Sequence, residues 1–132
     1  LARLIAEKIL ELEAVTVPCV ELDVSSYRDD REDATRENLL FDAPIAGRHI
    51  VLVDDVLFTG RTVRAAIDAI FAAGRAEDIQ LAVLIDRGHR ELPFRPDYIG
   101  KNLPTARRER VHVLVDEIDG AEGVTLEKGE NP

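Results

Sequence analysis

The chain has 132 residues, 45% of them hydrophobic, which suits one compact domain whose core is large enough to fold unaided and argues against a second. Seventeen basic residues against 26 acidic ones give a formal charge of −9, which excludes binding of nucleic acid over the whole surface but permits a local basic patch. No run approaches the roughly 18 apolar residues of a membrane span, no signal-peptide series is present, and the single Cys19 cannot pair within the chain, so a cytoplasmic protein without membrane contact is expected.

The opening LARLIAEKILELEA places Leu1, Leu4, Ile5, Ile9 and Leu12 on one helical face, predicting an amphipathic helix that packs on a sheet. Because the sequence has no methionine and starts inside this helix, the expectation is one domain over 1–132 that lacks its N-terminal segment. From Val15 to Val24 the pattern turns to β-rich alternation, clearest at Val20, Leu22 and Val24, and Cys19 is expected as a small core or strand residue. YRDDREDATRENLLFDAP then loses apolar periodicity and reads as an exposed charged loop.

HIVLV is a short apolar run of the kind expected for a parallel strand covered on both faces. After it, Val63, Ala66, Ile67, Ile70 and Phe71 recur at helical spacing until Gly74 supplies a stop. IQLAVLID is a second buried strand, and strand, helix, strand in this order predicts a parallel crossover. A long connection from Arg87 to Arg110 leads to VHVLVDEI, and Gly120 and Gly123 bracket a turn into VTLEK.

The chemistry concentrates in VLVDDVLFTGRT, residues 51–62. Side chains alternate along a strand and an unpaired buried carboxylate is costly, so Asp54 and Asp55 belong at the C-terminal edge of the first strand, where open α/β sheets bind ligands. The following helix begins near Arg61 with unsatisfied amides and a positive dipole end. Gly60 permits close backbone approach, and Thr59 and Thr62 offer hydroxyls, so the turn suits a phosphate. Two carboxylates just before such a turn can accept hydrogen bonds from vicinal sugar hydroxyls, which makes a phosphorylated ribose the inferred ligand. The spacing matches neither a Walker loop nor a dinucleotide fingerprint.

This segment resembles the phosphoribosyl diphosphate (PRPP) motif of type I phosphoribosyltransferases, and DRGHRELPFRPDYIGKN at 86–102 resembles the signature of the PyrR family, the bifunctional pyrimidine operon regulators and uracil phosphoribosyltransferases. SSYRDD at 25–30 matches a third family segment. The resemblance implies an α/β type I phosphoribosyltransferase fold, a mainly parallel sheet flanked by helices with a small hood formed partly by the final segments. It implies conversion of uracil and PRPP to UMP and diphosphate, with Mg2+ bound alongside PRPP and no metal held by the protein's own ligand cluster.

Residue by residue, the resemblance places Asp54 and Asp55 at the ribose hydroxyls, Asp55 serving as electrostatic stabiliser or base, and Val56, Leu57, Phe58, Thr59, Gly60, Arg61 and Thr62 around the 5-phosphate. Arg28, in a loop that closes over PRPP, would lie near the diphosphate, and Asp86 and Arg87 near the nucleotide. A glycine- and arginine-containing loop of TRG type, upstream of Leu1 in the family, is expected to be missing from the visible chain.

Between 87 and 110, seven basic residues (Arg87, Arg90, Arg95, Lys101, Arg107, Arg108, Arg110) face three acidic ones (Glu91, Asp97, Glu109) on an otherwise acidic chain. By charge alone this is an ordinary solvated segment; the family resemblance makes it an RNA contact, with Arg90, Arg95, Lys101 and His89 facing pyrimidine-operon leader messenger RNA. TARRER at 105–110 departs from the family pattern and its role stays open. The resemblance further implies a homodimer or higher homo-oligomer in which UMP raises RNA affinity. The alternative is a salvage phosphoribosyltransferase without an RNA-binding role.

Overall fold

The computed structural model describes residues 1–25, 45–114 and 122–129. In chain order these form α1 (Ala2–Glu13), β1 (His49–Leu57), α2 (Arg61–Ala73), β2 (Asp78–Asp86), β3 (Tyr98–Asn102), β4 (Arg110–Leu114) and β5 (Gly123–Glu127). Strands β1, β2 and β3 make one parallel sheet in that order, while β4 and β5 pair antiparallel as a separate two-stranded sheet.

The parallel crossover through α2 follows the expected strand, helix, strand reading. His49 pairs with Asp78, Leu52 with Leu81 and Leu57 with Asp86, so the C-terminal ends of β1 and β2 lie side by side. Leu57, Val63, Leu81 and Val83 form the buried core between the sheet and α2, with Leu52, Ile67 and Phe94 packed against them. Burying each such side chain contributes about 1.5–3 kcal/mol, and Leu57, 2% exposed, anchors the strand immediately before the turn at 58–60.

Several expectations need correction. The alternation at Val20, Leu22 and Val24 does not make a strand: Leu22 and Val24 pack on Ala65 and Ala69, two small residues of α2, and no described strand offers that segment a ladder. A strand requires a hydrogen-bonding neighbour as well as the right alternation. Cys19 is exposed rather than in the core.

Helix α1 forms over the expected span but has no buried residue, and Ile5 and Leu12 stay 39% and 68% exposed. Phe71, read as part of the apolar stripe of α2, is exposed, and so is Val51 of β1, which was expected to be covered. The connection after β2 holds a third parallel strand, β3, whose residues are all exposed and therefore carry no apolar run to announce it. The strand expected within VHVLVDEI and the one in VTLEK are present as β4 and β5.

Candidate active site

Strand β1 continues through both aspartates to Leu57, and alternation separates them. Asp54 pairs with Val83, on the face where Leu81, Val83 and Ile85 are buried, whereas Asp55 is exposed. Each carboxylate accepts the amide of the next residue: Asp55 N donates to Asp54 Oδ1 at 2.8 Å and Val56 N to Asp55 Oδ1 at 2.7 Å. Burial, with the hydrogen-bonded Asp55 carboxyl beside it, pushes the Asp54 carboxyl up from its ordinary 3.8 to about 7. Near neutral pH, the Asp54 carboxyl is therefore balanced between accepting and donating a hydrogen bond.

The turn that follows is built for close backbone approach. Gly60 precedes α2 with φ 92°, a left-handed conformation, and a Cβ there would lie 3.1 Å from Phe94 Cδ2 and 3.4 Å from Leu92 Cβ. Both the dihedral and the crowding call for glycine. No side chain caps the start of α2, so its positive dipole end and early amides face the turn. Arg61 N makes a long contact, 3.3 Å, to Thr59 Oγ1. Thr59 is partly covered and Thr62 exposed.

A second segment, 86–94, laces this turn in place. Arg87 N donates to Leu57 O at 3.1 Å, Arg90 Nη1 to Phe58 O at 2.9 Å, and the amides of Glu91 and Leu92 to Thr59 O at 2.9 and 3.0 Å. Three consecutive carbonyls, Leu57 to Thr59, are thus satisfied by a stretch some thirty residues later. Arg61 Nε reaches Glu91 Oε1 at 3.4 Å across the same junction. The residue types gave no signal for this lacing, because backbone donors carry no residue preference; the one legible trace was Phe94, an aromatic within a charged, proline-rich connection.

The arginines of the segment differ in what they touch. Arg87, 6% exposed, donates through Nε to Thr105 Oγ1 at 3.1 Å and through Nη2 to Ala106 O and Glu109 O at 3.0 and 2.6 Å. Its guanidinium carbon also lies 4.1 Å from the centroid of the Phe58 ring. Arg90 adds a 2.6 Å ion pair with Asp86 and a 3.0 Å bond to Phe94 O, leaving its side chain only 24% exposed. His89, at φ 65°, gives its Nε2 to Thr105 O at 2.5 Å and sets its ring edge-on to Phe58. Arg95 and Lys101 are exposed.

The geometry therefore brings Asp54, Asp55, Val56, the 57–62 turn, Asp86, Arg87, His89 and Arg90 to one end of the sheet. For Arg90 and His89, expected to face RNA, the hydrogen bonds run inward to the protein. Arg28 lies outside the described residues.

Residues 1–118 match the phosphoribosyl transferase domain family. A bifunctional protein PyrR of Limosilactobacillus reuteri is 56% identical, with 96% of this chain and 75% of that protein covered. The chain belongs to the PyrR family. The PyrR of Acetivibrio thermocellus is 57% identical over 98% of this chain and 74% of its own length, so the chain spans about three quarters of these relatives. Among solved structures, a hypoxanthine phosphoribosyltransferase from Trypanosoma cruzi in complex with the product IMP superposes with a TM-score of 0.53 at 25% identity, covering 68% of this chain and 50% of that one. That likeness is one of fold, and it agrees with the parallel sheet and flanking helix seen here.

Proposed function

We propose that this PyrR-family chain is a UMP-responsive, RNA-binding regulator of pyrimidine gene expression, acting by transcription attenuation, that also makes UMP from uracil and PRPP. The observation that carries the reading is the turn at 57–62, which follows paired carboxylates on β1 and is held by the 86–94 segment at the C-terminal edge of a parallel sheet. In that placement the open start of α2, with Thr59 and Thr62, receives the 5-phosphate, and Asp54 and Asp55 accept the ribose hydroxyls.

Loss of diphosphate leaves an oxocarbenium-like sugar centre, so catalysis rests on positioning and on charge rather than on a covalent nucleophile. Asp55, on the exposed face, acts as electrostatic stabiliser or base. By the family resemblance Arg28 serves the diphosphate, and Asp86 and Arg87 support the nucleotide side of the turn. No group of three or more metal-ligating side chains occurs among the described residues. The hard oxygens of Asp54 and Asp55 suit Mg2+ held mainly by substrate oxygens and water, and the ion would neutralise charge on the leaving diphosphate.

Arg95, exposed in the connection before β3, and Lys101, exposed on β3, meet RNA phosphates, with His89 and the exposed edge of Arg90 beside them. The test has two readouts on one preparation: UMP formation from uracil, PRPP and Mg2+, and RNA affinity with and without UMP. Turnover together with tighter RNA binding in UMP is expected. Absence of turnover removes the enzyme half of the reading, and equal RNA affinity in both conditions removes the coupling.

A further inference from the structure

Away from the paired aspartates, an open groove of 530 Å³ runs between the turn at 106–109 and the exit of β5, lined by Ala106, Arg107, Arg108, Glu109, Lys128 and Gly129. We infer that this groove is a second phosphate-contact surface for RNA, with Arg107, Arg108 and Lys128 as its cations. The inference rests on the RNA-binding reading above and extends it to residues outside the 86–102 signature.

The groove is preformed. Glu109 N donates to Ala106 O at 3.0 Å, Ala106 N donates back to Glu109 Oε1 at 2.6 Å, and the buried Arg87 guanidinium clamps the carbonyls of Ala106 and Glu109 from below. The only carboxylate of the lining is therefore engaged in closing the turn. On the other wall, the chain leaving β5 passes so near the turn that a Cβ on Gly129 would lie 2.6 Å from Arg108 O, and this approach sets Lys128 beside the two arginines.

Arg107, Arg108 and Lys128 are exposed, and among the described residues they form no ion pair. Three exposed cations without an ion pair among the described residues, gathered around one concavity, stand out on a chain of net charge −9. An anion approaching this acidic surface is steered to such a place.

The chemistry favours a polyanion strand over a single small anion. The cations are spread along an open groove, and no buried donor converges on one point within it. No aromatic side chain lines it either, so it offers nothing for a base to stack on. Its contribution is to affinity through phosphates and to register, with sequence read elsewhere. Arg87 links the two regions physically, since the side chain that clamps this turn also lies over Phe58 at the sugar-phosphate turn.

The experiment takes an RNA hairpin selected from a random-loop library against the full unsubstituted chain in UMP, and measures its affinity across salt concentrations. The variants are R107Q/R108Q/K128Q and, as a reference, R95Q/K101Q; unchanged thermal midpoints establish that both fold. If each of the three cations neutralises a phosphate, the triple variant binds roughly tenfold or more weakly, and the slope of log affinity against log salt shrinks by about 2, because a single-stranded contact contributes about 0.7. The loss is the same for hairpins of different loop sequence. Unaltered affinity and slope in the triple variant, with RNA binding lost in R95Q/K101Q, overturns the groove while leaving the RNA reading intact. Failure of the unsubstituted chain to retain any hairpin removes both.

Discussion

Arg87 and Arg95 lie on the same short connection, yet one is 6% exposed and held by three hydrogen-bond acceptors and an aromatic ring, and the other projects into solvent. Arg90 sides with the first, through Asp86, Phe58 and Phe94; Lys101, Arg107 and Arg108 side with the second. A planar guanidinium with several donors can satisfy diverging carbonyls, which a lysine cannot, so inward positions need arginine and outward positions need only positive charge. A basic segment can thus serve two purposes at once: its inward cations shape the turn at 57–59 and its outward ones stay exposed.

Changes at the inward group should cost folding. Arg87→Ala strips donors from Thr105, Ala106 and Glu109 and the cation from Phe58, and is expected to destabilise the chain by about 3 kcal/mol in urea unfolding. A loss below about 0.5 kcal/mol would dissolve the distinction between inward and outward arginines.

The next effect comes from the raised Asp54 carboxyl. Since the folded state keeps this proton up to about pH 7 while an unfolded aspartate releases it near 3.8, the contribution of Asp54 to stability is fullest below pH 3.8 and declines as pH rises between those values. Asp54→Asn is expected to abolish that decline, gaining on the order of 2 kcal/mol at pH 8 relative to the parent and little at pH 4, with ribose 5-phosphate binding weakened as the cost. Parallel pH profiles of parent and variant unfolding would contradict the burial of that carboxyl.

Gly60→Ala introduces a Cβ against Phe94 and Leu92 at a positive φ, so it should destabilise by about 1–2 kcal/mol and weaken ribose 5-phosphate binding several-fold, measured by calorimetry. The smallest effect on folding belongs to the outward group. Arg95→Gln with Lys101→Gln should leave the unfolding midpoint within about 0.5 kcal/mol of the parent while lowering RNA affinity roughly tenfold.

The turn at 57–62 was legible because its requirements fall on residue types: acids at a strand end, glycine for a positive φ, threonines beside an open helix start. β1, α2 and β2 were legible for a related reason, since burial on α2 forces apolar residues onto strand and helix periods. β3 was hidden because all of its residues are exposed, and Val20 to Val24 misled because alternation records an apolar side without recording a ladder partner.

Local composition and spacing were enough to specify the glycine turn after β1, the crossover around it and the excess of cations after β2. Which of those cations stay exposed was settled by folding, because that depends on which carbonyls and carboxylates distant segments bring within hydrogen-bond reach. The same holds for the groove at Arg108 and Lys128, twenty residues apart in sequence and joined only by the pairing of β4 with β5 and the close passage at Gly129.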